Sequence, residues 1–239
     1  MSDRQGVVDA ASANAQASVN QGKNYWNSVA ADDNAMLGDV PSVSGFRHVP
    51  KVDLQGSRTF LARMGIGTKH GRHDVNRVLE AGAGVGRVTC GLLLNVAQTV
   101  DVIEPVAKFT AALGGNPGVG KIFNVGLQDW APDEGDRYDL IWVQWCVGYL
   151  DDEQLVAYLE RCKATLTPET GLIVVKENLS TSGKDYHDAT DDSVIREDEK
   201  FRSIFTQAGL RVVRTDLQRG MPERAPRRLL PVRMYALKP

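Results

Sequence analysis

A glycine-rich turn between an apolar run and a helix-like segment is the feature that most limits how this chain can fold. Within residues 78–87, glycine occupies every second position from Gly82 to Gly86. Glycine adopts backbone angles that other residues avoid, and it lets the chain approach a ligand closely. In α/β proteins a turn of this kind joins the first parallel strand to the first helix beside a bound ligand.

The glycine spacing and one acidic residue narrow the choice of ligand. The third glycine comes one residue earlier than in the dinucleotide pattern G-x-G-x-x-G, and Glu80 would place negative charge beside a phosphate. S-adenosylmethionine has no phosphate and carries a sulfonium, an ammonium, a carboxylate and a ribose. The turn therefore predicts S-adenosylmethionine as the ligand, and a nicotinamide-dependent oxidoreductase is the weakest alternative.

Strand-like and helix-like segments alternate after Asp74, which predicts a mainly parallel sheet with helices on both faces. Asp151 is predicted to cap one helix, and Asp53 is predicted to cap an earlier helix ahead of the sheet. The predicted strands cover residues 77–79, 99–103, 121–125, 138–143, 172–175, 210–213 and 232–237, and predicted helices cover residues 85–96, 108–113 and 201–208.

The chain divides into three predicted regions within its 239 residues. Residues 1–22 are rich in small and amide side chains and are predicted to form a flexible tail. Residues 23–73 are predicted to form helices broken by turns. Residues 74–239 are predicted to form the α/β domain, whose ligands bind at the carboxyl ends of the strands.

Composition excludes several classes of function. A net charge of −2 argues against a nucleic-acid binder that works through bulk electrostatics. Scattered cysteines and the lone pair His70 and His73 around Gly71 predict neither a disulfide framework nor a metal site. There is no bilayer-length apolar run and no signal-peptide pattern, so we expect no membrane contact and a cytoplasmic location, with the nucleus as a second location.

Several polar residues follow predicted strands on the expected ligand side. Glu104 lies about twenty residues past the glycine turn, where an acidic side chain can accept hydrogen bonds from ribose hydroxyls; the alternative is a surface glutamate. Arg87 can bind a ligand carboxylate or lie exposed on a helix. Leu127 and Gln128 can contact an adenine or form a capping turn. Gln144 and the neighbouring tryptophan leave strand four where the methyl group should lie, although tryptophans are more often core residues.

An acidic segment follows the fifth predicted strand. Residues 188–193 contain three aspartates and a serine, and they suit either a cationic substrate or a solvated surface. Arg224, Arg227 and Arg228 lie between prolines, which predicts a solvated loop. A weak nucleic-acid or nuclear-import patch is the less favoured interpretation of these arginines.

Taken together, these motifs resemble the protein α-N-terminal methyltransferases from Tyr25 to the C-terminus. That family dimethylates or trimethylates the exposed amino end of proteins that begin Xaa-Pro-Lys after removal of the initiator methionine. The resemblance implies a seven-stranded, Rossmann-like, class I S-adenosylmethionine-dependent methyltransferase fold. It also implies that an N-terminal helical extension, residues 23–73, covers the active site. It rests on residues 25–26, 36–38, 80–87, 126–129, 141–145, 176–178 and 191–194.

The resemblance also implies roles for individual residues. The implied cofactor-binding residues are Gly82, Gly84, Arg87, Glu104, Leu127, Gln128 and Gln144. The implied substrate-binding residues are Trp26, Leu37, Trp145, Asp188 and Ser193. The implied catalytic residues are Asp191, as the preferred proton acceptor, Asn178, which would orient the amine, and Tyr149.

This chain departs from the family pattern at two places. Tyr149 stands where the family commonly has a histidine, and residues 229–231 lack an aromatic residue that some relatives have. A tyrosine with a pKa near 10 is a poor base at neutral pH, but it can still donate or accept a hydrogen bond. The channel wall is therefore expected to differ in shape while the reaction stays the same.

The expected partners are proteins or peptides with a free Xaa-Pro-Lys or Xaa-Pro-Arg amino end, acted on by a monomer. Two alternatives stay open at this point. The chain can be a methyltransferase that acts on a small-molecule amine or hydroxyl. It can also be a non-catalytic protein that binds S-adenosylmethionine and interacts with partners.

Overall fold

A mixed sheet organises the computed structural model of the chain, which describes residues 19–222 and 229–239. The sheet has seven strands, the number that the family resemblance implied, and their order across the sheet is β3-β2-β1-β4-β5-β9-β8. All neighbouring strands are parallel except β9, which is antiparallel to both β5 and β8. Its strands are β1 (Val75–Ala81), β2 (Ala97–Ile103), β3 (Val119–Phe123), β4 (Leu140–Gln144), β5 (Leu172–Asn178), β8 (Arg211–Leu217) and β9 (Val232–Lys238).

Helices flank this sheet, and the buried apolar residues form a cluster on each face. One cluster includes Phe60 and Leu61 of the N-terminal region, and the other includes Leu155 and Phe201. The helices among the described residues are α1 (Val19–Ser28), α2 (Asp33–Met36), α3 (Val49–Arg63), α4 (Arg87–Gly91), α5 (Ala107–Thr110), α6 (Asp152–Ala164) and α7 (Asp198–Gln207). Short 3₁₀ turns occupy Val40–Ser42, Leu93–Asn95 and Val147–Tyr149.

The strand order fixes where a ligand can bind. The chain runs outward from β1 through β2 to β3, then returns to form β4 on the other side of β1. Connections therefore leave β1 and β4 on opposite sides, which opens a crevice at the carboxyl ends of these two strands. The glycine turn follows β1, and Trp145 follows β4, so both lie at this crevice.

Some local predictions hold and others do not. Asp151 caps α6, and its side chain forms a reciprocal capping box with Gln154, as the sequence predicted. The predicted helix over residues 85–96 was too long, because α4 ends at Gly91 and a 3₁₀ turn follows it. A side chain at Gly91 would meet Leu54 of α3 at 2.7 Å, so close packing selects glycine here at the cost of helix propensity.

Asp53 is not a helix cap, and that prediction was wrong. Helix α3 begins at Val49, with His48 in the capping position, so Asp53 lies inside the helix. It shares a buried helical stripe with Val49, Ser57 and Phe60. Polar residues on a core-facing stripe need partners, and those of Asp53 belong to the site described below.

A separate two-stranded hairpin stands outside the main sheet. It consists of β6 (Tyr186–Asp188) and β7 (Ser193–Ile195), which pair antiparallel. The hairpin contacts the 3₁₀ turn Val147–Tyr149 beyond β4. This contact brings the acidic segment after β5 to the same sheet edge as the glycine turn.

Two segments that the sequence predicted to be flexible or solvated, the N-terminal tail and the arginine-rich loop, lie mostly outside the described residues. Helix α1 begins at Val19, within the residues predicted as a flexible tail, and the earlier residues lie outside the described part. The arginines Arg224, Arg227 and Arg228 also lie outside it. No helix among the described residues combines the length and apolar character needed to span a membrane.

Candidate active site

The glycine turn is held against β2 and β4. The backbone N–H of Gly82 donates to the carbonyl of Ile103 at 2.8 Å. Gly82 and Gly84 have φ values of 65° and 54°, in the left-handed region that favours glycine. A Cβ on Gly82 would lie 2.4 Å from Cβ of Cys146. The turn therefore requires glycine for its conformation and for the close approach of the segment after β4.

A first cavity opens above this turn, and it brings together all the predicted cofactor residues. Its walls come from the ends of β1, β2 and β4, from the loop after β3 and from the N-terminal helices. The predicted residues that line it are Gly82, Gly84, Arg87, Glu104, Leu127, Gln128 and Gln144.

Glu104 is fixed at the floor of the first cavity by backbone donors. Its two carboxylate oxygens accept hydrogen bonds from the N–H groups of Gly84 and Val106, each at 2.9 Å. Burial raises the pKa of Glu104, while these backbone bonds act in the opposite direction. A carboxylate oxygen can accept more than one hydrogen bond, so the geometry leaves Glu104 able to accept from a ligand as well.

Arg87 lies at the start of α4, and Asp53 is its partner. Nη1 of Arg87 lies 2.8 Å from Oδ2 of Asp53, and only 8% of the arginine side chain is exposed. Gln144 donates from Nε2 to both oxygens of Asp53 at 3.1 Å. Two of the predicted cofactor residues are thus held by one carboxylate of the N-terminal cover.

The buried surroundings of Glu80 disfavour the charge that the sequence led us to expect. Its carboxyl is buried and bonded to the hydroxyl of Thr89. Burial raises the pKa of Glu80 to about 8, so the carboxyl is mostly protonated at neutral pH. An ammonium placed beside it would favour loss of that proton.

A second cavity adjoins the first and opens toward the hairpin. All the predicted substrate and catalytic residues line it: Trp26, Leu37, Trp145, Asn178, Asp188, Asp191, Ser193 and Tyr149. The two cavities share Trp26, Met36, Trp145 and Tyr149. A group bound in one cavity therefore meets a group bound in the other between these side chains.

A chain of hydrogen bonds crosses the junction of the cavities. Nε1 of Trp26 donates to the phenol oxygen of Tyr149 at 2.8 Å, and that hydroxyl donates to Oδ2 of Asp191 at 2.8 Å. The hydroxyl of Ser193 donates to Oδ1 of Asp191 at 2.7 Å. Burial and the Asp191 carboxylate raise the pKa of Tyr149 well above its usual value, so the phenol stays protonated and acts as a donor.

Trp145 is strained and has an unused donor. Its φ is 53°, an uncommon value for a bulky residue, and its N–H donates to the carbonyl of Lys176 at 3.1 Å. The indole Nε1 is buried and has no hydrogen-bond partner among the described residues. Such strain and such an unpaired donor occur most often at ligand sites.

Sequence reasoning assigned no individual role to two charged residues of the motif at 176–178, and both shape this region. Lys176, on the fully buried part of β5, donates from Nζ to Oδ1 of Asp53 at 2.5 Å. Glu177 accepts at Oε1 from the N–H groups of Cys146 and Val147, at 2.9 and 3.2 Å. The signal for both was present, since two charged residues interrupt the apolar run of a central strand and must find partners there.

The residues present fit the groups of S-adenosylmethionine. A buried guanidinium lines the first cavity for a carboxylate, Glu104 lies beneath the glycine turn for a ribose, and Leu127 with Gln128 lines the wall for an adenine. Arg161 holds the loop of that wall by donating to the carbonyls of Leu127 and Gln128 at 2.9 and 3.1 Å. Within residues 19–222 and 229–239, no group of three or more potential ligands is placed to hold a metal ion.

Comparisons with known proteins agree with this geometry. A solved structure described as a SAM-dependent methyltransferase of Leishmania major superposes with a TM-score of 0.77 and 33% identity, covering 98% of this chain and 87% of that one. A Schizosaccharomyces pombe protein named alpha N-terminal protein methyltransferase 1 is 43% identical, over 90% of this chain and 93% of its own length. A Xenopus laevis N-terminal Xaa-Pro-Lys N-methyltransferase 1-B is 38% identical, over 84% and 88%.

The family model described as AdoMet dependent proline di-methyltransferase matches residues 14–238. That match spans the glycine turn, both cavities and the hairpin. Together with the relatives, it settles the fold as class I and the cofactor as S-adenosylmethionine. The chain therefore belongs to the S-adenosylmethionine-dependent protein α-N-terminal methyltransferases.

Proposed function

We propose that this enzyme methylates the α-amino group of proteins that begin Xaa-Pro-Lys or Xaa-Pro-Arg once the initiator methionine is removed. The observation that carries the proposal is the junction of the two cavities. The first cavity fits the methyl donor, and the second presents Asp188 and Asp191 to a positively charged chain end. The names of the relatives point to the same substrates.

The second cavity suits an amino end that must lose a proton before it reacts. An α-ammonium has a pKa near 8, so only about a tenth of it is the free amine at pH 7. Asp191 attracts the ammonium and is our candidate for the proton acceptor, directly or through water. Its attraction also raises the pKa of the ammonium, and desolvation within the closed site opposes that rise.

The hydrogen bonds at the junction hold the acceptor in one orientation. Tyr149 and Ser193 donate to different oxygens of Asp191, so the carboxylate cannot rotate freely. Both oxygens keep lone pairs for an incoming N–H. Asn178, at the end of β5, is placed to orient the amine through its amide oxygen.

When bound, S-adenosylmethionine would supply a sulfonium-activated methyl group for the free amine. The chain contributes alignment of the reacting groups, which can lower a barrier by several kcal/mol. Trp26 and Trp145 line the junction of the two cavities. In our proposal, Trp145 packs against the substrate proline. Asp188 is placed to pair with the cation of the third substrate residue.

Three synthetic peptides test the proposal. The first begins Ser-Pro-Lys, the second is the same peptide acetylated at its amino end, and the third replaces lysine with glutamine. Mass spectrometry after incubation with the enzyme and isotopically labelled cofactor should show methylation of the first, none of the second and weaker methylation of the third. Equal labelling of the acetylated peptide, or no labelling of any peptide, would contradict the proposal.

A separate binding measurement distinguishes the alternatives. A small-molecule methyltransferase would bind S-adenosylhomocysteine and leave all three peptides unmodified. A non-catalytic binding protein would also bind S-adenosylhomocysteine, and it would bind the first peptide without modifying it. Calorimetry with the cofactor product and with each peptide separates these two results.

A further inference from the structure

We propose that Asp53, on helix α3 of the N-terminal cover, is a positioning residue for the carboxylate of S-adenosylmethionine. It would act through Arg87 and Gln144. The inference deepens the proposed site and rests on its use of this cofactor. It does not depend on which substrate accepts the methyl group.

The first observation is geometric. Both oxygens of Asp53 accept from Nε2 of Gln144 at 3.1 Å, and Oδ2 also accepts from Nη1 of Arg87 at 2.8 Å. Oε1 of Gln144 in turn accepts from the indole of Trp142 at 3.0 Å. Arg87 and Gln144 both line the first cavity, whereas Asp53 does not. Asp53 thus lies behind the two side chains that face the ligand.

The second observation is the balance of buried charge. The Asp53 carboxylate is fully buried between two cations, Arg87 and Lys176, whose side chains are 8% and 0% exposed. Burial opposes ionisation of Asp53, but the two cations outweigh it and hold the pKa of Asp53 below its usual value. Within this group of three side chains, one carboxylate faces two cations, although burial lowers the pKa of Lys176 and the Glu104 carboxylate lies elsewhere on the same cavity. Buried excess charge favours a counterion, and the ligand carboxylate has the required sign.

The third observation is that Lys176 is anchored independently of the ligand. Its ammonium donates to Oδ1 of Asp53 at 2.5 Å, to the hydroxyl of Ser57 at 2.9 Å and to Oε1 of Gln218 at 3.0 Å. Helix α3 admits Gln218 because residue 56 is glycine, where a Cβ would lie 2.1 Å from that amide oxygen. Lys176 therefore fixes Asp53, and Arg87 keeps the guanidinium donors that Asp53 does not use.

The two cations of this group, Arg87 and Lys176, also contact Trp145 at the junction of the cavities. The guanidinium carbon of Arg87 lies 5.7 Å from the ring centroid of Trp145, and Nζ of Lys176 lies 5.9 Å from it. Both distances fall within the range of cation–π attraction. Asp53 thereby links docking of helix α3 to the arrangement of the residues around the ligand.

Calorimetry with two ligands tests the role of Asp53. S-adenosylhomocysteine carries the carboxylate, and 5′-methylthioadenosine lacks the whole amino-acid part. Asp53→Asn should weaken S-adenosylhomocysteine binding by about tenfold or more and leave 5′-methylthioadenosine binding unchanged. Arg87 and Gln144 lose the charged acceptor that orients them, and we expect this loss to exceed the Coulombic gain from removing a negative charge near the ligand carboxylate. The matched control is Asp216→Asn, which removes an ion pair between α3 and β8 with Arg63, 2.7 Å long and away from the first cavity.

A merely structural role would give a different result. If Asp53 only stabilised the fold, Asp53→Asn would lower the affinity for both ligands alike, and that outcome would overturn the proposal. So would unchanged or tighter binding of S-adenosylhomocysteine by Asp53→Asn. Failure of the unmodified protein to bind either ligand would count against the cofactor assignment, and failure to methylate peptides would leave this inference intact.

A second variant guards against misfolding of the first. Breaking a buried ion pair by removing one partner is strongly destabilising, whereas replacing both partners with apolar residues is often tolerated. The double variant Asp53→Leu/Lys176→Met removes the fully buried Asp53–Lys176 pair together and leaves Arg87, which is 8% exposed, without its carboxylate partner at the cavity wall. It should keep the circular dichroism spectrum of the parent and lose affinity for S-adenosylhomocysteine alone. Parent-like affinity for that ligand in the folded double variant would overturn the proposal.

Discussion

The hydroxyl of Tyr149 donates a hydrogen bond of 2.8 Å to Oδ2 of Asp191, across the junction of the two cavities. Tyr149 also accepts from the indole of Trp26, so a residue of the N-terminal cover reaches the candidate proton acceptor through one phenol. A protonated phenol cannot serve as the base at neutral pH. The bond holds the Asp191 carboxylate in one orientation.

Tyr149→Phe should lower kcat by about tenfold or more, since removing the hydroxyl leaves a buried donor and a carboxylate oxygen without their partner. Binding of S-adenosylhomocysteine should stay close to that of the parent. Steady-state kinetics with a Ser-Pro-Lys peptide and calorimetry measure the two quantities. Tyr186→Phe removes a hydroxyl from the nearby hairpin and serves as the control. A parent-like kcat in Tyr149→Phe would show that the bond to Asp191 is dispensable.

Asp191→Asn should lower turnover by about a hundredfold, the size expected for loss of a general base. Affinity for S-adenosylhomocysteine should change little, because Asp191 lines the second cavity and not the first. The neighbouring Asp192 bonds to His187 at 2.6 Å, so Asp192→Asn is a matched control one residue away. Normal turnover in Asp191→Asn would remove this residue from the role of proton acceptor.

Gly84→Ala should weaken cofactor binding and destabilise the fold by about 1–2 kcal/mol, because the residue has a left-handed φ. Its Cβ would also lie 2.8 Å from the sulfur of Met36, which lines the first cavity. Gly45→Ala carries the same backbone strain, with φ of 84° and no heavy atom within 4 Å of the added Cβ. Thermal melts and calorimetry on both variants separate strain from crowding. Equal losses of cofactor affinity in Gly84→Ala and Gly45→Ala would show that crowding at the first cavity is not the cause.

Stability should fall as pH rises from about 5 to 7, and Glu177 should contribute to that slope. Burial raises the pKa of Glu177 to about 7 from 4.5, so between these values the folded state binds the proton more tightly than the unfolded chain does. The contribution of Glu177 to the free energy of unfolding is complete below its unfolded-state pKa of 4.5 and is lost as the pH rises through its folded-state pKa of about 7. The difference between these two pKa values corresponds to a change on the order of 3 kcal/mol.

Urea unfolding at a series of pH values measures this slope. Glu177→Gln keeps an oxygen for the N–H groups of Cys146 and Val147 and should flatten the curve. Part of the slope should remain, because burial also raises the pKa of Glu80 to about 8. Glu160→Gln, at an exposed position on α6, should leave the curve unchanged. An unaltered slope in Glu177→Gln would show that this carboxyl is not its source.

Much of the fold was predictable because its signals are local. Apolar runs and the glycine turn marked the parallel strands, and the spacing from Gly84 to Glu104 placed a carboxylate at the end of β2. The carboxyl ends of parallel strands lie at one edge of the sheet, so polar residues that follow different strands were expected to lie close together in space. The two cavities contain all the predicted site residues. The roles of these residues in binding and catalysis stay predictions, as do the monomeric state and the cellular location.

Other features depend on contacts that no local pattern encodes. Asp53 looked like a cap because aspartate favours that position, yet its partners Arg87 and Lys176 lie in distant segments. The backbone of Trp145 takes a left-handed angle that its residue type disfavours, so only the surrounding structure can impose it. The burial of Glu80, which raises the pKa of its carboxyl, is a property of the packed fold that a local sequence pattern does not show.

The hairpin of β6 and β7 has a consequence for how such an enzyme diversifies. Asp188, Asp191 and Ser193 all belong to this short ribbon, which stands apart from the main sheet and from the first cavity. Replacing the ribbon alone would alter which chain ends are accepted and leave the methyl supply untouched. The same replacement would also remove the candidate proton acceptor Asp191, so the ribbon joins the predicted substrate contacts to one catalytic group, whereas the predicted cofactor residues belong to the main sheet and its loops.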